Sequence, residues 1–171
     1  EQRIDTDPDA ARALAADARD QARQALAELR GLVRGIAPSI LLDRGLVAAL
    51  AALAGRSPVP TVVASELAEG ERLPDAVERA AYFVVAEALT NTIRHSGASQ
   101  AAVTVRLDEA SDRLHVTVFD DGHGGAQITD GEDATGLRGL DERVRAAQGT
   151  FSVSSPVTGP TIITAVLPCA S

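Results

Sequence analysis

Beyond Asp9 the chain runs for a long stretch almost without breakers, and apolar residues recur at Leu14, Ala18, Ala22, Ala25, Leu29, Leu32 and Ile36. Steps of three and four residues lay a narrow apolar seam along one helix face, the pattern of a coiled-coil or bundle helix with a partner. Asp7, Pro8 and Asp9 form its start signal, and Gly35 and Pro38 end it. The apolar run from Leu46 to Ala54 predicts a second, shorter helix before the breakers Gly55, Pro58 and Pro60. A domain boundary is expected near Ser57, with a helical region over residues 1–56 and a separate domain over 57–171.

After that boundary the texture changes. Thr61, Val62 and Val63 predict a short strand, and Pro74 opens a helix to about His95 in which Val77, Ala81, Val84, Val85 and Ala88 keep helical spacing. Ala101, Val103, Val105 and Leu107 alternate on one strand and Leu114, Val116 and Val118 on the next, with a hairpin turn over Glu109 to Asp112. The Gly- and Asp-rich stretch from Asp120 to Gly136 has no period and predicts a loop. Leu137, Leu140, Val144 and Ala147 mark another helix, ended by Gly149. Two strands close the chain, Thr150 to Ser154 and Ile162 to Leu167, joined by a turn containing Pro156, Gly159 and Pro160.

Composition narrows the chemistry. The 171 residues suit one compact domain with an appended element, or two small ones. A net charge of −8 argues against a broad electrostatic grip on nucleic acid, so no direct nucleic-acid partner is expected. All 16 basic residues are Arg, which removes chemistries that depend on a lysine ammonium: P-loop phosphate binding, the protein-kinase strand lysine and Schiff-base catalysis. The lone Cys169 can build neither a zinc cluster nor an internal disulfide. The longest apolar run falls far short of the ~20 residues a membrane helix needs, and no signal-peptide pattern opens the chain.

Four short segments carry candidate chemistry. Glu87 and Asn91 lie side by side at i and i+4 on the Pro74–His95 helix, with His95 continuing the stripe, in a segment otherwise almost wholly apolar. A solvated polar face would explain them more plainly, yet Glu87 is the one charged residue between Ala80 and Ile93. Asp120, Asp121, Gly122, His123, Gly124 and Gly125 follow an alternating strand: a carboxylate at a strand end, then glycines that let backbone approach a ligand. Alone this would be an ordinary Asp-Gly turn. Gly136, Leu137, Arg138, Gly139 and Leu140 open an amphipathic helix whose free N–H groups suit phosphate, or else form a plain helix start with small packing residues. Thr158 to Thr161 by itself reads as a turn.

In this order and spacing the segments resemble the nucleotide-binding domain of bacterial two-component sensor histidine kinases, in the GHKL superfamily. Within it the NarL/DesK-like group is the nearest match, through "ELRGLVRGIAPSILLDRGLVAAL", "AYFVVAEALTNTIRHSGAS", "VFDDGHGGA", "GLRGLDERV" and "TGPTIITAVLP". The resemblance implies a two-layer α/β sandwich, helices on one face of a mixed sheet, with ATP held between the helical layer and a mobile lid. It assigns Asn91 to Mg²⁺ on the triphosphate and Glu87 to polarising the attacking imidazole or a water. Asp120 would accept the adenine amino hydrogen, with Gly122 and Gly124 shaping the pocket floor. Gly136 and Gly139, with Leu137 and Leu140 between and after them, match the phosphate side of the lid, and Thr161 matches the threonine of the last box. Arg94 and His95 fall where relatives carry a basic residue and His.

Three departures stand out: Pro160 replaces a common glycine, Ala37 sits where relatives often carry a larger polar residue, and the phosphoacceptor motif of His followed by an acidic residue is absent. His95, His115 and His123 all lack its helix context. The expected activity is transfer of the ATP γ-phosphoryl to a His on a helix outside this chain, with ATP and Mg²⁺ bound. The expected partners are a response regulator, reached through the full-length kinase, and a second copy, met through the N-terminal helix. A cytoplasmic location is expected for this domain, and a membrane anchor elsewhere in the parent stays open. Two other readings compete: an anti-sigma-factor-like GHKL serine kinase, which the long heptad-like N-terminal region disfavours, and a non-catalytic dimerisation module, which joint retention of Glu87, Asn91 and Asp120 disfavours.

Overall fold

A computed structural model describes residues 37–68, 70–127 and 135–169. The Leu14–Ile36 seam lies outside the described residues, as do residues 128–134 of the loop expected between Asp120 and Gly136. Pro38–Ser171 forms one compact unit.

The elements run α1 (Ser39–Ala54), β1 (Thr61–Ser65), α2 (Asp75–Asn91), a π-helical turn (Thr92–Ser96), β2 (Ala101–Asp108), β3 (Arg113–Asp120), α3 (Thr135–Ala146), β4 (Thr150–Ser154) and β5 (Thr161–Pro168). The five strands form one sheet in the order β1-β2-β3-β5-β4. β1 pairs parallel with β2 and every other pair is antiparallel, so the sheet is mixed. Strand alternation has a direct cause. Val103, Val105, Leu114, Val116, Val118, Ile163, Ala165 and Leu167 are buried on one face, each fully covered large side chain contributing about 1.5–3 kcal/mol. On the other face Val62, Thr104, Arg106 and Ile162 are exposed.

The buried face is covered by Val77, Ala81, Val84, Val85 and Ala88 of α2, by Leu41, Leu46 and Leu50 of α1, and by Leu140 and Val144 of α3. α1 begins earlier than the apolar run at Leu46 indicates. Its first turns, Ser39 to Arg44, end at Gly45, whose φ of 80° breaks the helix before it resumes. Arg72 holds that break. Its Nη1 donates to the Leu42 carbonyl at 3.1 Å, while Nε and Nη2 donate to both carboxylate oxygens of Glu78, only 2 % exposed on α2. The helical region expected up to residue 56 thus contributes α1 to the packing of the α/β body, and the compact unit starts at Pro38 rather than Ser57.

Toward its C-terminus α2 does not continue as a regular helix to His95. It widens into the π turn and stops at Gly97, φ 63°, in the left-handed conformation that commonly ends helices. Single π turns inside helices are frequent at functional sites.

Candidate nucleotide-binding site

A cleft of about 360 Å³ opens where α2, the π turn, the glycine loop after β3, the start of α3 and the start of β5 converge. The antiparallel register of β3 and β5 sets Asp120 directly opposite Thr161, and both are buried. An acceptor carboxylate and a hydroxyl therefore stand next to each other at the sheet end that faces the cleft.

Asp120 is 5 % exposed, and a carboxylate so placed needs hydrogen bonds. Its Oδ1 accepts the Gly122 N–H at 3.0 Å and its Oδ2 accepts the Thr92 hydroxyl at 3.0 Å. The Thr92 hydroxyl also lies 3.1 Å from the Ala88 carbonyl, but that carbonyl already accepts the Thr92 N–H. The single hydroxyl proton is thus best used on the carboxylate. Asp121, the next residue, points the other way. It caps the turn before β2, accepting from the Ser99 hydroxyl at 2.6 Å and from the Ser99 and Gln100 N–H groups. The Ser99 hydroxyl first, then those N–H groups, hold its carboxyl below the usual range.

The π turn docks onto the glycine loop. The Ser96 carbonyl accepts the His123 N–H, and the Ser96 side chain leaves no room beside Gly122, where a Cβ would lie 2.5 Å from Ser96 Cβ. Gly124 is required twice over: its φ is 64°, and a Cβ would overlap the Pro156 carbonyl oxygen. The β4–β5 turn is knitted to the same loop, with the Thr158 N–H donating to the His123 carbonyl and the Gly125 N–H to the Ser155 carbonyl.

On the opposite wall Gly136 brings the first turn of α3 against α2. A Cβ there would lie 2.9 Å from Glu87 Oε1 and 3.6 Å from both amide atoms of Asn91. The Arg143 guanidinium, 4.6 Å from the Phe83 ring centre, ties the rest of α3 to α2. Glu87 and Asn91 are both half-buried.

Among the residues singled out from sequence, Asn91, His95, Asp120, Gly124, Gly136, Leu137 and Thr161 line the cleft. Gly122 supports its floor, and Glu87 sits at its edge beside Gly136. Three lie elsewhere. Arg94 is exposed and away from the lining, Gly139 has no described atom within 4 Å of where its Cβ would be, and Leu140 is a core residue, 3 % exposed. For Gly139 and Leu140 helical rotation is the cause: one turn past Gly136, α3 has already swung its residues away from the cleft. Sequence reasoning did not single out Thr92, Ser96 and Ser155, small hydroxyl residues whose partners are distant in the chain. His123, within the glycine loop, is exposed at the cleft.

A two-layer α/β body with an acceptor carboxylate at a strand end, a glycine loop beneath it and a carboxylate–amide pair on the facing helix defines a nucleotide-binding domain. Residues 76–171 match the family model described as histidine kinase-, DNA gyrase B- and HSP90-like ATPase, and the chain belongs to that GHKL family of ATP-binding domains. It is similar to the signal transduction histidine-protein kinase/phosphatase DegS of Brevibacillus brevis, 32 % identical over 88 % of this chain and 39 % of DegS. It is also similar to the sensor histidine kinase MctS of Rhizobium johnstonii, 35 % identical over 84 % of this chain and 32 % of MctS. The chain therefore spans well under half the length of these relatives. In fold it resembles the blue-light activated histidine kinase of Erythrobacter litoralis EL346, with a TM-score of 0.57 at 23 % identity, covering 77 % of this chain and 43 % of that one.

Proposed function

We propose that the chain is the catalytic ATP-binding part of a two-component sensor histidine kinase, transferring the γ-phosphoryl of ATP to a His on a helix outside this chain. The observation that carries this reading is the convergence of Asn91, Asp120, Gly124, Gly136 and Thr161 on one cleft. Asp120 accepts the adenine amino hydrogen, Gly122 and Gly124 keep the floor clear of side chains, and the first turn of α3 meets the phosphates at Gly136 and Leu137. His95 lies at the same rim.

The residues present fit a Mg²⁺-nucleotide. Asn91 offers a neutral amide oxygen in the cleft, as suits an ion held largely by substrate phosphates and one or two protein groups. When bound, Mg²⁺ supplies charge neutralisation for the triphosphate. Glu87, beside Gly136, orients the attacking imidazole or takes up its proton. As the bond from the γ-phosphorus to the bridging oxygen breaks, one to the imidazole nitrogen forms, and ADP leaves.

Residues 1–37 belong to a dimerisation region, and the catalytic portion takes in α1 and runs over 38–171. A second copy through the Leu14–Ile36 seam and a response regulator are the partners of the full-length kinase. The catalytic part works on the cytoplasmic side, where ATP is available. The test is calorimetry with ATP and Mg²⁺, followed by γ-labelled ATP with and without a helix that carries His followed by Asp or Glu. Binding with transfer only when the helix is present is expected. Absence of binding would refute the nucleotide assignment, binding without transfer would favour a non-catalytic module, and acid-labile label on the isolated chain would make an internal His the acceptor.

A further inference from the structure

Ser155, at the end of β4, lies outside the cleft lining, yet both of its oxygens hold groups that build the cleft. Its backbone carbonyl accepts the Gly125 N–H at 3.0 Å. Its hydroxyl oxygen accepts the Ala126 N–H at 3.0 Å and lies 2.8 Å from the Thr161 hydroxyl. Gly125 and Ala126 lead out of the glycine loop, and Thr161 is the buried hydroxyl beside Asp120.

Either hydroxyl can donate in the Ser155–Thr161 bond, and each direction leaves one hydroxyl proton over. With Thr161 donating, Ser155 accepts twice and the spare proton is its own, outside the cleft lining. With Ser155 donating, a head-to-tail chain runs from the Ala126 N–H through the Ser155 hydroxyl to the Thr161 hydroxyl, and such chains strengthen their members cooperatively. The spare proton is then that of Thr161, which lines the cleft.

We infer that Ser155 is a positioning residue that makes Thr161 a hydrogen-bond donor toward the bound nucleotide and, through the same hydroxyl, ties Ala126 to the β4–β5 turn. The site then presents an acceptor at Asp120 and a donor at Thr161 side by side. The inference rests on the nucleotide reading above for its ligand, but its internal chain is a property of the protein alone.

The two bonds to Ser155 supply an internal control. Ser155→Ala removes the acceptor of the Ala126 N–H and keeps the carbonyl that accepts from Gly125. Site-resolved amide exchange on the full chain should therefore quicken at Ala126 and stay unchanged at Gly125. Calorimetry with Mg-ATP should show a roughly 3- to 10-fold loss of affinity, the size of one neutral hydrogen bond. Thr161→Val should lose about as much, the double variant no more than the larger single loss, and Ser155→Thr, which keeps the hydroxyl, should bind as the unaltered chain does. Several outcomes would overturn the inference: unchanged Ala126 exchange in Ser155→Ala, losses from Ser155→Ala and Thr161→Val that multiply, Ser155→Thr as weak as Ser155→Ala, or exchange quickened equally at Gly125, which marks a merely structural role. If the unaltered chain failed to bind Mg-ATP the nucleotide reading would fall, and with it the donor role of Thr161, while the exchange arm would still decide the Ala126 tether.

Discussion

Replacing Asp120 by Asn removes one acceptor and one charge while leaving the side-chain shape almost unchanged, and the surroundings allow the fold to tolerate it. In Asp120→Asn the amide oxygen can keep the Gly122 N–H, now held at 3.0 Å. The amide nitrogen then faces Thr92, whose hydroxyl has a ready alternative: it can turn to donate to the Ala88 carbonyl at 3.1 Å and accept from the new amide. Neither buried neighbour is left unpaired, so the melting temperature should move little. Ligand binding has no such escape. The oxygen assigned to the adenine amino group becomes a donor facing a donor, and loss of a hydrogen bond to a charged group costs about 1.5–3 kcal/mol. At 1.36 kcal/mol per decade that is a loss of roughly 10- to 150-fold in affinity. Calorimetric titration with Mg-ATP, beside a thermal melt, reads both effects. Equal affinity in the two proteins would refute the adenine role of Asp120, and a large drop in melting temperature would show that the carboxylate is chiefly a structural group.

Asn91→Ala should abolish most of the tightening that Mg²⁺ gives to ATP, by at least the ~10-fold that even indirect metal partners contribute; titrations with and without Mg²⁺ that differ equally in both proteins would remove Asn91 as a ligand. Gly124→Ala combines a left-handed backbone, about 1–2 kcal/mol for a residue with a Cβ, with overlap on the Pro156 carbonyl, so it should weaken nucleotide binding more than Gly139→Ala, whose site is open; binding curves compare them. Glu78→Ala leaves the Leu73 N–H and the Arg72 guanidinium without their buried acceptor and should cost about 1–3 kcal/mol in denaturant unfolding; an unchanged midpoint would show that water replaces the carboxylate at no cost. Asp121 has a folded pKa below its unfolded value, so its contribution is present above the unfolded value of about 3.9 and is lost as pH falls through the folded one. Asp121→Asn should therefore flatten the acid limb of a stability–pH curve, and an acid limb identical in both proteins would refute the cap.

The strands of the sheet are legible in the sequence because one face is covered and the other is not: Val103 and Val105 on β2, and Leu114, Val116 and Val118 on β3, are buried while their neighbours are half-exposed or exposed. The first turns of α1 are not legible, since Gly45 and Pro38 bracket only six residues and read as breakers. The burial of Glu78 is not legible for another reason. At a helix start an acidic residue is favoured by the dipole alone, and nothing local foretells that the carboxylate will be buried to 2 % exposure while Arg72, still 45 % exposed, reaches over to pair with it. The π turn is equally hidden, since Thr92 and Ser96 are ordinary small polar residues until the widened turn carries both inward, one to Asp120 and the other to the glycine loop.

The site divides along the same line, between what one helix or loop can state by itself and what needs a pairing register. Glu87 and Asn91 stand together because four residues are one helical turn, and the glycines after Asp120 announce a close backbone approach. The partnership of Asp120 with Thr161 exists only because β3 and β5 pair antiparallel with those two residues opposite, and a period of two says nothing about which strand is the neighbour. The same limit explains why Gly139 and Leu140 are drawn into the expected site by their place in "GLRGL". On α3 the stripe Leu137, Leu140 and Val144 steps by three and four residues along one face; its first member meets the cleft and the next two are buried in the core. A helix that enters a site end-on can offer it little more than its opening turn, so a motif spread over five residues delivers Gly136 and Leu137 to the cleft and leaves Leu140 to hold the helix in place.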